Sequence, residues 1–282
     1  EGGVGIISSA QIGFQEEDFD QDVRGANLRG MEKEYQKARN LAPKGVIGFN
    51  IMVALRHYKE HVEKAVALGA DLIISGAGLP MELPKLVGEA KTKVAPIVSS
   101  AKCAKVLLRY WDKKYQKIPD LLIIEGPKAG GHLGFSKEYL SQASDKDYRE
   151  EGAEILKIKQ TYEEKYGTII PVALAGGIYS KEDAIAAFKL GVEAIQVATR
   201  FITTTECDAA KEYKDAYLKA KAEDIGIVSS PVGMPGRAIK NEFTKKVENN
   251  VKCSPLKGHQ CVATCHPRET IYCITDALVA AA

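Results

Sequence analysis

Seven short runs of apolar, β-favouring residues recur along this chain, at 4–8, 46–52, 71–75, 94–99, 121–125, 169–175 and 194–198. Segments of helical or loop character separate them. The runs are close to continuously apolar rather than alternating, the pattern of parallel strands covered on both faces. A βα series of this kind gives a parallel sheet, either open or closed on itself, and eight units close a barrel. The expected fold is therefore α/β, a (β/α)8 TIM-type barrel whose first strand falls outside the given residues. Residues 1–5 then read as the tail of a βα unit leading into the barrel's second strand. A length of 282 residues is one that such barrels use as a single domain.

The intervening segments fit crossover helices. Residues 58–68 place Val62, Ala65, Val66 and the following Gly69 on one face, with Lys59, Glu60, Glu63 and Lys64 largely opposite. Ser180 with Asp183 has the pattern of a capping box, and the helix it opens should turn Ile185 and Phe188 inward. Two intervals are long. Residues 9–45 hold a charged helix near 28–39, and residues 136–168 are charge-dense, so both read as insertions with solvated faces. Residues 1–250 form the expected barrel with these insertions. Residues 251–282 form a Cys-containing segment, part of the same domain or a helical extension of it.

A net charge of +2 provides no broad basic field, which argues against a nucleic-acid partner. The apolar runs fall far short of the ~20 residues that span a bilayer, and the first residues lack the basic start and apolar core of a secretory signal. A soluble, cytoplasmic protein is expected, with no membrane partner.

Function in a barrel collects at the C-terminal ends of the strands. Past the run at 121–125 lies the loop Glu125-Gly-Pro-Lys-Ala-Gly-Gly-His132-Leu-Gly134, with Gly126, Gly130, Gly131 and Gly134 in it. Glycines let a backbone approach a planar ligand closely, and one imidazole at such a mouth can serve as a general base near neutral pH. A lone loop histidine is more often merely solvated, but this one has company. Ala175-Gly176-Gly177 follows one strand, and Gln196-Val197-Ala198-Thr199 ends the next. Barrels commonly hold a phosphate between the loops after strands 7 and 8, on backbone N–H groups. Ser75 to Gly78 and Ser99-Ser100 sit at two other strand ends. Asn50, amid apolar neighbours, either joins a structural network or contacts a polar heterocycle.

Six stretches together resemble the nitronate monooxygenase (2-nitropropane dioxygenase) family, which includes related flavin-dependent enoyl-ACP reductases. They are GVIGFNIM at 45–52, SGAGLP at 75–80, EGPKAGGHLG at 125–134, ALAGGI at 173–178, AIQVATRF at 194–201 and SPVGMPGRAIKN at 230–241. The resemblance covers residues 1 to about 245 and implies an FMN-binding TIM-type barrel. It implies His132 as the catalytic base. It places Asn50, Glu125, Gly130, Gly131, Gly176, Gly177, Gln196, Val197, Ala198 and Thr199 at the cofactor. Two departures stand out: Glu125 where some members carry Gln, and Ala198 where Gly is commoner. A carboxylate beside a flavin that becomes anionic on reduction would be awkward.

The implied activity is FMN-dependent oxidation of alkyl nitronates by O2. The alternative is an NADH-dependent FMN enoyl-ACP reductase of fatty-acid synthesis, and a third reading is a non-catalytic flavin- or phosphate-binding module. The partners are then a small-molecule substrate, O2 or NAD(P)H, with a homodimer as one assembly to test. Cys253, Cys261, Cys265 and Cys273, with His259 and His266 among them, lie outside these motifs. Their spacing lacks the paired C-x-x-C of strong zinc sites, and Pro255, Gly258 and Pro267 break the stretch into turns. A metal or iron–sulfur site is one reading. Reduced structural thiols with no metal is the favoured one.

Overall fold

The computed structural model describes residues 2–142, 145–253 and 258–280, without the side chains of 145–147. Two compact units divide the chain: Glu1–Ile123 with Glu151–Pro171, and Ile124–Glu150 with Val172–Ala282.

In the first unit four βα steps follow one another. They are β1 (Val4–Ser8) and α1 (Val23–Leu41), β2 (Val46–Met52) and α2 (Tyr58–Ala67), β3 (Leu72–Gly76) and α3 (Leu83–Val87), and β4 (Lys93–Val98) and α4 (Ala101–Tyr115). β1–β2, β2–β3 and β3–β4 pair in parallel, with Ile7 opposite Phe49 and Phe49 opposite Ile73. Gly48 lets β2 and β3 close up, since a Cβ there would lie 2.4 Å from the Leu72 carbonyl oxygen. Phe49, Ile51, Ile73, Leu83, Leu107, Leu108 and Trp111 are fully enclosed, the bulk of this unit's core. Burying an indole strands its N–H unless an acceptor is at hand, and Trp111 Nε1 donates to the Pro80 carbonyl at 3.1 Å.

Helix ends follow local chemistry. Asp22 caps α1 through the Gly25 N–H at 2.9 Å, which starts the helix earlier than residue 28. Ser100 caps α4 through the Cys103 N–H at 3.2 Å. On α2 the buried side chains are His61, Val62 and Ala65; Val66 is only partly covered and Gly69 is exposed, beyond the helix end. His61 lies against Ser9 Oγ at 3.3 Å, and burial lowers its imidazole to about 4.

β5 (Leu122–Glu125) begins in the first unit and ends in the second. The second unit then holds β6 (Gly131–His132), α5 (Lys137–Gln142), the start of α6 (Asp145–Tyr166), β7 (Val172–Ala175), α7 (Lys181–Phe188), β8 (Ala194–Gln196), α8 (Thr199–Ile202) and α9 (Lys211–Lys219). A short 3-10 turn (Ala222–Asp224), β9 (Ile225–Ser229), β10 (Pro235–Ile239), α10 (Glu242–Glu248) and α11 (Ile274–Val279) complete it. Seven strands form one sheet in the order β1-β2-β3-β4-β5-β7-β8, so chain order and spatial order agree. All seven runs expected from the sequence are present as strands. The run at 169–175 is shorter than expected: β7 starts at Val172, and Ile169 is 73% exposed.

Two expectations are corrected. Ser180 and Asp183 do form the reciprocal capping box, yet Ile185 and Phe188 on the helix it opens are 43% and 49% exposed, and only Ala187 is buried. Apolar spacing marks a face but does not by itself put anything against it. A second sheet, β6-β10-β9, was not anticipated. It is antiparallel, with Gly236 opposite His132 and Arg237 opposite Gly131. Its strands are short and interrupted by Gly and Pro, so they carry little period-2 signal.

Candidate active site

Ten of the eleven expected site residues lie in the second unit; Asn50 lies in the first, near the end of β2. Asn50 is half-buried, and its backbone carbonyl accepts from the Ser9 N–H at 3.0 Å. Ser75 and Ser100 are engaged in structure. Ser75 Oγ donates to the Ile51 carbonyl at 2.9 Å and meets Tyr58 OH at 3.0 Å, while Ser100 caps α4.

β7 and β8 pair in parallel with Ala175 opposite Gln196. Gly176-Gly177 and Val197-Ala198-Thr199 therefore leave the sheet side by side. Gly176 and Gly177 hold φ of +94° and +75°, the left-handed region that glycine enters without strain. Close approach is a second reason for glycine. A Cβ on Gly176 would come within 2.9 Å of the Ala129 backbone nitrogen, and one on Gly177 within 2.8 Å of Lys128 Cβ. The 125–134 loop thus packs on the Gly-Gly turn. Among the described residues, none accepts a hydrogen bond from the backbone N–H of Gly177, Ile178, Ala198 or Thr199. Gln196 Oε1 is enclosed and likewise has no partner among them. An enclosed amide oxygen without a partner is rare, and Gly177, Ala198 and Thr199 are exposed, so their N–H groups are open to an incoming hydrogen-bonding ligand with an anionic end.

His132 stands on β6, the edge of the antiparallel sheet. Its Nε2 lies 2.7 Å from Ser230 Oγ, which also accepts from the Val232 N–H at 3.2 Å. Burial alone holds the imidazole below its ordinary value, so it is neutral at pH 7. Arg237 fixes the loop that carries it: Nε donates to the Ala129 carbonyl at 3.1 Å and a terminal nitrogen to the Pro127 carbonyl at 2.8 Å. Ser230 and Arg237, which touch His132 and the loop that carries it, were left without roles by sequence reasoning, although both lie in the 230–241 stretch that carries the resemblance. Gly131 needs its φ of +73°, whereas a Cβ on Gly130 would meet nothing within 4 Å.

Glu125 ends β5. Burial pushes its carboxyl up from 4.5 to about 7. Below that pH the group is a neutral acid that can donate a hydrogen bond, which removes the awkwardness of a carboxylate at this position. The folded form binds this proton more tightly than the unfolded chain. Stability should therefore fall as pH rises from 4.5 to about 7 and level off above it. Thermal melts of ligand-free protein across that window should show this slope and its loss in Glu125→Gln; equal slopes would place the titration elsewhere.

The sequence model of the family described as nitronate monooxygenase matches residues 20–281. The chain belongs to that family. A probable nitronate monooxygenase of Staphylococcus saprophyticus subsp. saprophyticus is 26% identical over 216 residues, 76% of this chain and 56% of that protein. A (3aS,4S,5R,7aS)-5-hydroxy-7a-methyl-1-oxo-octahydro-1H-indene-4-carboxyl-CoA dehydrogenase of Mycobacterium tuberculosis is 23% identical over 248 residues, 88% of this chain and 59% of that protein. The solved structure of FabK from Thermotoga maritima matches with a TM-score of 0.62 at 26% identity, covering 79% of this chain and 63% of that one. The chain thus spans less than two thirds of the length of these relatives. The α/β fold is of the TIM-barrel class found in the nitronate monooxygenase family and FabK. No helix among the described residues is long and apolar enough to cross a membrane.

Proposed function

We propose that this nitronate monooxygenase family member is an FMN-dependent oxidoreductase that converts alkyl nitronates with O2. The observation that carries the reading is His132: a neutral, largely desolvated imidazole on a glycine-rich strand end, in the same unit as an N–H-lined turn suited to a phosphate. FMN, when bound, would supply the two-electron redox chemistry that the side chains lack, with O2 as the final acceptor. Gly176, Gly177, Ala198 and Thr199 would hold its phosphate, and Gln196 and Glu125 would meet polar edges of its ring. His132 accepts the α-proton of a neutral nitroalkane or orients the anionic nitronate. Ser230 fixes the imidazole's rotation, and Arg237 holds the backbone on which it rides.

FMN rather than FAD is expected, because one phosphate turn is present and no G-x-G-x-x-G fingerprint follows a strand. Mass spectrometry of the released cofactor should find FMN; FAD, or no uptake of flavin on reconstitution, would overturn the reading. Anaerobic addition of propyl-2-nitronate to the FMN-loaded protein should bleach the flavin band. A second reading, reduction of an enoyl thioester, draws support from the Mycobacterium relative, whose name specifies a CoA thioester. Bleaching by NADH with turnover of a crotonyl thioester, and none by nitronate, would establish that reading instead.

A further inference from the structure

Of the residues past 250, Tyr272 reaches the edge of the site above, its hydroxyl donating to the Ser229 carbonyl at 3.4 Å. The cysteines past 250 are free thiols, and Cys261 and Cys273 are buried. Pro255 lies outside the described residues. The Cys253 N–H donates to the Ile271 carbonyl at 2.7 Å, which draws the start of this segment against the stretch leading to Cys273. Cys273 is the N-cap of α11, and Asp276 lies in its first turn. His259 Nε2 is 2.9 Å from Asp276 Oδ1. The ligand atoms of His259, Cys273 and Asp276 all lie within 4.8 Å of one another. Gly258 lies beside Cys273: a Cβ there would sit 3.9 Å from its Sγ.

We propose that His259, Cys273 and Asp276 bind one zinc ion, with a water molecule as its fourth ligand. Zinc takes four S, N and O donors tetrahedrally, with bonds of about 2.0–2.3 Å, which sets neighbouring donors about 3.3–3.6 Å apart. His259 and Asp276 need open by only a few tenths of an ångström to admit it, and Cys273 needs to close by about one at most. The donors come from a loop and a helix start, so the ion ties the loop at His259 to α11. The spacing of the cysteines pointed to plain thiols because Asp276, the ligand that the tertiary structure adds, is not part of the Cys/His run.

Elemental analysis of protein purified without oxygen, and of the same protein exposed to zinc and desalted, tests the proposal. About one equivalent of zinc is expected in the parent and in Cys207→Ser, whose thiol is outside the cluster, against less than about a tenth in His259→Ala and Cys273→Ser. Metal-free parent protein, or unchanged zinc in both ligand variants, would overturn the site. So would iron with acid-labile sulfide, which would make the four cysteines a cluster. If the variants do not fold, cobalt(II) replacement in the parent decides: strong tetrahedral d–d bands with a thiolate charge-transfer band support the site, and weak octahedral bands sink it.

Discussion

Replacing His132 by alanine is expected to lower turnover of a neutral nitroalkane by about 10²–10⁴-fold, the usual contribution of a positioned general base. Flavin content should not change, because the turn proposed to hold the phosphate is built by Gly176, Gly177 and the end of β8 rather than by the imidazole. The preformed nitronate needs no deprotonation, so its loss should be smaller. Burial keeps the free imidazole below its ordinary 6.5, which places the acid limb of the parent's pH profile below that value and removes it in the variant. Ser230→Ala offers a distinguishing measurement. It leaves the base in place and removes the partner 2.7 Å away, so it should cost less and shift the limb rather than abolish it. Equal activity of His132→Ala and parent on both substrate forms would refute the base assignment.

Gly177→Val is expected to weaken FMN binding by about 100-fold or more, equivalent to the loss of one or two hydrogen bonds to a charged group at about 1.5–3 kcal/mol each. The new Cβ would start 2.8 Å from Lys128 Cβ, on a backbone with φ of +75° that a β-branched residue enters only with strain. The turn must move, and with it the N–H groups that the phosphate would use. Part of the cost falls on stability, and Gly167→Val isolates that part. Gly167 holds a φ of +62° with nothing within 4 Å of its Cβ position and lies in the other unit. Both variants should melt lower in flavin-free form, Gly177→Val further because of its added close contact, while only Gly177→Val loses flavin in a titration. Full FMN affinity in Gly177→Val would move the phosphate site elsewhere.

The sequence alone determined what is carried by neighbours along the chain. Seven apolar runs became seven strands because continuous apolar stretches between amphipathic helices have few other ways to be buried. The Ser180/Asp183 box and the Gly-Gly turn were legible for the same reason: a cap or a left-handed turn is satisfied within three or four residues. Tertiary structure decided the rest. Ser230 reaches His132 across 98 positions through an antiparallel sheet too short and too rich in Gly and Pro to announce itself. Ile185 and Phe188 are exposed because a helix's apolar face depends on what packs against it. Burial lifts the Glu125 carboxyl to about 7, and Asp276 comes beside His259 and Cys273, because desolvation and side-chain convergence sum over every element that surrounds a group and not over its neighbours in sequence.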